Sequence, residues 1–150
     1  MVVLDALTVW TQIRTFLKGS IEAAHQRTAL TLEQYTDMSL LSANRCRLDR
    51  DSRNEVYGYF QRYEELKKAQ AAWDEADAVM DVTNRLQDHY KDNLRNYARS
   101  AVKWKGMYDR IYVDEVQDFT QAEVGLLYLV VGYNGDALFF AGDTAQSIGE

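Results

Sequence analysis

Asp114 and Glu115 sit side by side at the end of the β-rich run "RIYVDE", and Asp143 ends a second such run, "ALFFAGD". An acid pair placed directly after β-branched and aromatic residues is costly near a core unless a cation or a proton is handled there. Hard divalent cations prefer oxygen ligands, so Asp114 and Asp143 read as a candidate Mg²⁺ site. The plainer reading is a solvated acidic face, and it suits Glu123, Asp136 and Glu150. Residues 1–109 carry equal numbers of basic and acidic side chains, so the whole net charge of −6 falls in residues 110–150, where Arg110 stands alone against seven acids. The acidity is therefore concentrated where the candidate chemistry is.

Positioning these acids requires two strands, and the pattern supplies them. Between the two runs, "TQAEVGLLYLVVGY" reads as a helix opened by a capping box of Thr120 and Glu123. Strand, helix and strand in so short a span make a βαβ unit, with parallel strands and a right-handed crossover. Ligands of open parallel sheets bind at the carboxyl ends of strands, so Asp114, Glu115 and Asp143 are expected to converge on one crevice.

Upstream the period is helical. Leu4, Leu7, Trp10, Ile13, Phe16 and Leu17 predict an amphipathic helix over 3–17, closed near Gly19. The capping-box patterns "TLEQ" and "SRNE" predict helices beginning at Thr31 and near Ser52. The latter is expected to carry Val56, Tyr59, Phe60, Tyr63 and Leu66 on one buried stripe. A further helix over about Asp74 to Arg99 has Ala78, Val79, Val82, Leu86, Tyr90, Leu94 and Tyr97 facing inward. The fold class is thus α/β: a helical lobe over residues 1–107, then a partial parallel βαβ unit over residues 108–150.

Composition narrows the classes of function. A single cysteine, Cys46, excludes an internal disulfide, and no CxxC or Cys/His cluster offers a zinc site, which favours a reducing intracellular setting. The longest apolar run, "VGLLYLVVGY", falls well short of the roughly 20 residues a membrane span needs, and the first ten residues lack a basic leader. No proline, linker, low-complexity tract or repeat divides the chain.

"YDRIYVDEVQD" followed by "LFFAGDTAQSI" resembles motifs II and III of superfamily 1 helicases of the UvrD/Rep kind, a Walker B box DExQD and the box GDxxQSI. With the upstream "WTQIRTFLKGS", the segment is most similar to the helicase-like region of large tetratricopeptide and ankyrin repeat containing proteins. The resemblance implies a partial RecA-like core and an ATP-hydrolysing motor acting on single-stranded DNA or RNA, with ATP and Mg²⁺ as cofactors. In it Asp114 would hold Mg²⁺, Glu115 would orient or deprotonate the attacking water, and Gln117 and Asp118 would complete the box. Gly142 would let the backbone turn beside the phosphate. Asp143 and Gln146 would link the nucleotide site to the nucleic-acid side, with Gln146 near the γ-phosphate. Phosphoryl transfer is mainly positioning and charge neutralisation, which is what this set provides.

The family's phosphate loop GxxxxGK[ST] appears nowhere in these residues, nor do the motifs of a second RecA-like domain. The chain therefore reads as a fragment, inactive alone, of an ATP-dependent helicase. The alternative is a catalytically inactive, helicase-derived protein-interaction module. Other features have plainer accounts. His25 and His89 lack partners at metal-ligand spacing and read as exposed or capping residues. Cys46 lies between Arg45 and Arg47, which could activate it, yet a packed thiol suffices. In "RSAVKWKG", Arg99, Lys103, Trp104 and Lys105 have the basic and aromatic mixture that single strands prefer, although Trp104 could equally pack the lobe against the sheet.

Overall fold

The computed structural model describes residues 4–42, 45–97 and 106–143, and the side chains of all of these except 92–97. Gln146, the basic residues around Trp104, and the inward positions assigned to Leu94 and Tyr97 lie outside the described residues or side chains. Two compact units divide the chain, residues 1–78 and 79–150.

Among the described residues, five helical stretches lie wholly within the first unit. Helix α1 (Ala6–Gln12) starts where the Asp5 side chain accepts from the Thr8 N–H at 2.7 Å, as an N-cap acid does. The expected single helix then changes its winding, because Ile13–Lys18 form a π-helix ending at Gly19. Leu7 and Trp10 consequently face solvent while Ile13 and Leu17 are buried, so the apolar stripe is not continuous. Helix α2 (Ile21–Gln26), capped by Ser20, was not read from the sequence. Helix α3 (Leu32–Thr36) carries the expected capping box of Thr31 and Gln34.

Helix α4 (Arg50–Ala69) begins earlier than "SRNE" suggested, since Asp49 rather than Ser52 is the cap. Of its stripe, Val56 and Phe60 are buried but Tyr59 and Leu66 are exposed. A cation takes the central place instead. Arg53 is fully buried and donates to four backbone carbonyls, those of Leu48 (3.0 Å), Tyr35 (3.1 Å), Leu41 (2.8 Å) and Cys46 (2.9 Å). The guanidinium fork thereby satisfies one carbonyl of α3 and those of Leu41, Cys46 and Leu48, which lie in no helix or strand. Cys46 is a packed thiol, fully buried and donating to Gln12 Oε1, which also accepts from the Tyr35 hydroxyl at 2.8 Å.

Helix α5 (Glu75–Tyr97) has residues in both units; Ala78 in the first and Val82 in the second are exposed, and Tyr90 in the second is buried. Strands β1 (Ile111–Val113) and β2 (Leu138–Phe140) pair in parallel, with Ile111 opposite Leu138, Tyr112 opposite Phe139 and Val113 opposite Phe140. Helix α6 (Gln121–Val130) connects them and opens on the expected reciprocal capping box of Thr120 and Glu123. The strand–helix–strand reading therefore holds. Tyr90 donates to the Leu129 carbonyl at 3.0 Å, which fixes the end of α6 against α5 within this unit. Gly106 lies against α6 so closely that a Cβ there would fall 2.3 Å from the Val131 carbonyl carbon. Among the described residues no helix is long and apolar enough to cross a membrane.

Candidate functional site

Two backbone bonds extend the strand pairing beyond the strands. Ala141 N–H donates to the Val113 carbonyl at 2.8 Å, and Val116 N–H donates to the Ala141 carbonyl at 3.0 Å. The turn carrying Asp114 to Asp118 is thus held against residues 141–143, at the carboxyl ends of both parallel strands. This is where ligands of parallel sheets bind.

The local chain is strained to make that turn. Glu115 has φ 53° and ψ 44°, the left-handed region, which costs a residue with a Cβ roughly 1–2 kcal/mol. After it, Val116–Asp118 form one 3₁₀ turn, closed by Asp118 N–H donating to the Glu115 carbonyl at 2.9 Å. Asp114 Oδ1 accepts from the Glu115 N–H at 3.0 Å. Gln117 Nε2 donates to Glu115 Oε2. The Oε1 of Gln117 is buried and has no hydrogen-bond partner among the described residues. Gly142 lies directly beside it, since a Cβ at Gly142 would fall 2.6 Å from Gln117 Oε1 and 3.1 Å from Val116 Cγ1.

Of the residues singled out in the sequence, Asp114, Glu115, Gln117, Asp118, Gly142 and Asp143 all lie at this one end of the sheet, and Gln146 lies outside the described residues. Asp114, Glu115, Asp118 and Asp143 are exposed and Gln117 is half-buried. Exposed carboxylates in this setting offer hard oxygen donors, the set that Mg²⁺ accepts, and they leave room for its waters.

A second group of charges, in the first unit, gave no motif in the sequence. Lys18 Nζ lies 2.6 Å from Asp74 Oδ2, 2.5 Å from Asp77 Oδ1 and 3.3 Å from Glu64 Oε1. Lys67 Nζ lies 2.8 Å, 2.5 Å and 2.9 Å from carboxylate oxygens of the same three acids. The oxygens of Glu64, Asp74 and Asp77 are close enough to hold a metal ion, but the two ammonium groups already supply the cation. Burial by itself would push Asp74 and Asp77 up, yet hydrogen bonds from Lys18 and Lys67 hold both carboxyls below the usual carboxylate range. Tyr63 also donates to Asp74 Oδ2, at 2.9 Å, and burial together with that bond pushes its hydroxyl up to about 12. The signal that could have found this cluster is weak, because Lys18 and Lys67 lie on separate helical stretches far apart in the chain.

Comparison with known proteins bears on the family. Residues 6–149 match the profile of the UvrD/REP helicase N-terminal domain. The human protein "TPR and ankyrin repeat-containing protein 1" (Homo sapiens) is 36% identical over 143 residues, covering 93% of this chain but 4% of that protein. The chain thus corresponds to a small part of that relative. No solved structure matches.

Proposed function

Because this chain belongs to the UvrD/REP helicase N-terminal domain family, we propose that it carries the acidic half of a helicase-type ATP site, with Asp114 toward Mg²⁺ and Glu115 toward the attacking water. In this reading residues 108–150 are part of a RecA-like core and residues 1–107 a helical lobe inserted before it. Bound Mg²⁺ would supply neutralisation of the triphosphate charge. Asp114 and Asp143 offer the oxygens that would hold it, and Gly142 keeps the adjoining backbone free of side-chain bulk. Glu115 would accept the proton of the attacking water, while Asp118 and Gln146 would tie the site to neighbouring segments of the motor. Single-stranded DNA or RNA is the polymer on which such a motor would act.

The observation that carries the reading is the pair of bonds between Ala141 and the Val113–Val116 turn, which joins "VDEVQD" to "AGD" at one strand end. Phosphate grip is not encoded in these residues, since no GxxxxGK[ST] loop is present. The test therefore uses a chain in which this segment is joined to such a loop and a second motor domain. Mg-ATP binding should fail for Asp114→Asn. For Glu115→Gln it should persist while single-turnover hydrolysis falls by about 10² to 10⁴, the contribution of a positioned general base. Hydrolysis at the unmodified rate by Glu115→Gln would remove Glu115 from this role.

A second reading, an interaction module without catalysis, draws on a different observation. Between α1 and α4 lies an open groove of about 520 Å³, lined by Leu4, Val9, Trp10, Tyr59, Tyr63 and Leu66 among others. Trp10, Tyr59 and Leu66 are exposed there. Mg-ATP hydrolysis by the joined protein would exclude this reading as the whole function.

A further inference from the structure

Glu115 is exposed at the apex of a strained turn, and an unsupported glutamate in that position would sample several rotamers. Its carboxylate is instead bonded by the side-chain amide of Gln117, two residues on. A tether of this kind fixes a direction only when its own far end is seated. Here that end is enclosed: Gln117 Oε1 is buried, and it lies where a Cβ on Gly142 would stand 2.6 Å away, with Val116 Cγ1 3.1 Å from the same point. The carboxyl end of β2 therefore reaches the acid after β1 through one amide side chain.

We propose that Gln117 is a positioning residue that fixes the direction of the Glu115 carboxylate, and that the bare backbone of Gly142 is the seat that keeps the Gln117 amide in place. The proposal deepens the ATP-site reading, on which its catalytic consequence rests. The physical sense is specific. An alanine at 142 would place its methyl carbon against the tip of Gln117, and that flexible tip, rather than either strand, would move. Displacement of residues 141–143 would in the same way swing the Glu115 carboxylate, because Gln117 touches both. The two strand ends are coupled by contact, and Asp143 adjoins the seat.

The test uses side-chain and backbone amide NMR on this chain, uniformly labelled with ¹⁵N. Gln117→Met identifies the Gln117 signal by its disappearance. In the unmodified protein one Nε2 proton should exchange with water about tenfold more slowly than in Glu115→Ala, since a bond to an ionised acceptor must open first. Gly142→Ala should bring the same acceleration while the backbone signals of β1 and β2 stay in place. Gln117→Asn, which keeps the amide but is one methylene too short to reach both partners, serves as the second variant and should behave likewise. Unchanged exchange in Glu115→Ala overturns the tether, and unchanged exchange in Gly142→Ala overturns the seat. In the joined motor, Gln117→Asn should lower single-turnover hydrolysis with Mg-ATP affinity retained; a normal rate there overturns the positioning role. A motor whose unmodified form fails to hydrolyse ATP would refute the ATP-site reading, with the tether still decided by the amide signals.

Discussion

Asp74→Ala should be among the most destabilising single changes in the first unit, and the cost can be worked from its contacts. The carboxylate accepts from Lys18 Nζ at 2.6 Å, Lys67 Nζ at 2.8 Å, the Tyr63 hydroxyl at 2.9 Å and the Asp77 N–H at 2.8 Å. Both lysine side chains are nearly buried, 6% and 9% exposed, so their charges cannot turn to water when the partner is removed. Breaking a buried ion pair from one side costs about 3–5 kcal/mol. Glu64 and Asp77 remain to share the two ammonium groups, which argues for the lower end, about 3 kcal/mol. With a urea slope of about 2 kcal/mol per molar, the midpoint of unfolding should fall by about 1.5 M. Urea titration followed by far-UV circular dichroism and tryptophan fluorescence reads this directly. The pH dependence has a definite sign. Asp74 and Asp77 are held below their ordinary values in the folded chain, so their contribution is complete above about pH 4 and is lost as pH falls toward the depressed values. The unmodified protein should therefore lose stability on acidification below about pH 4 more steeply than Asp74→Ala. A loss under about 1 kcal/mol, or equal acid slopes for the two proteins, would refute the reasoning.

Arg53→Lys should destabilise the first unit by at least about 2 kcal/mol, because an ammonium cannot reach all four carbonyls and each buried unsatisfied group costs about 1–3 kcal/mol; chemical denaturation measures it. Gly106→Ala should lower the melting temperature, since the new methyl meets backbone at Val131 rather than a movable side-chain tip. Thr120→Ala removes one arm of the capping box of α6 and should cost about 1 kcal/mol in the same assay. Tyr112 and Phe139 stack at 4.8 Å on the sheet and are both exposed, Tyr112 by 70%, so concentration-dependent self-association is expected in sedimentation. Tyr112→Lys should reduce it.

The candidate site was legible because its signals are local and chemical. Acids at strand ends, a reciprocal capping box and a change of period from helical to alternating all lie within a few residues of one another, and α6, β1 and β2 followed. The first unit was less legible because long-range polar contacts override local pattern there. "SRNE" resembles a helix start, but Asp49 caps the helix first and Arg53 is drawn inward by four carbonyls. Leu7 and Trp10 keep a helical spacing, yet the π-helix after Gln12 turns the following residues to a different face. The seat of Gln117 against Gly142 depends on the spacing of two chain segments, which no pattern along one of them records.

The π-helix also restricts how this chain can vary. Each residue advances an α-helix by about 100°, so removing one residue from the Ile13–Lys18 segment would allow ordinary winding and satisfy the helix itself. Lys18 would then keep nearly the same direction, whereas ordinary winding with all six residues kept would rotate it by about 100°, away from Asp74 and Asp77. Substitutions within 13–18 that keep size and polarity should be tolerated, as should loss of one residue ahead of Lys18, whereas insertion of a further residue should not. The segment acts as a spacer whose residue count, more than its residue identities, sets where the Lys18 charge arrives.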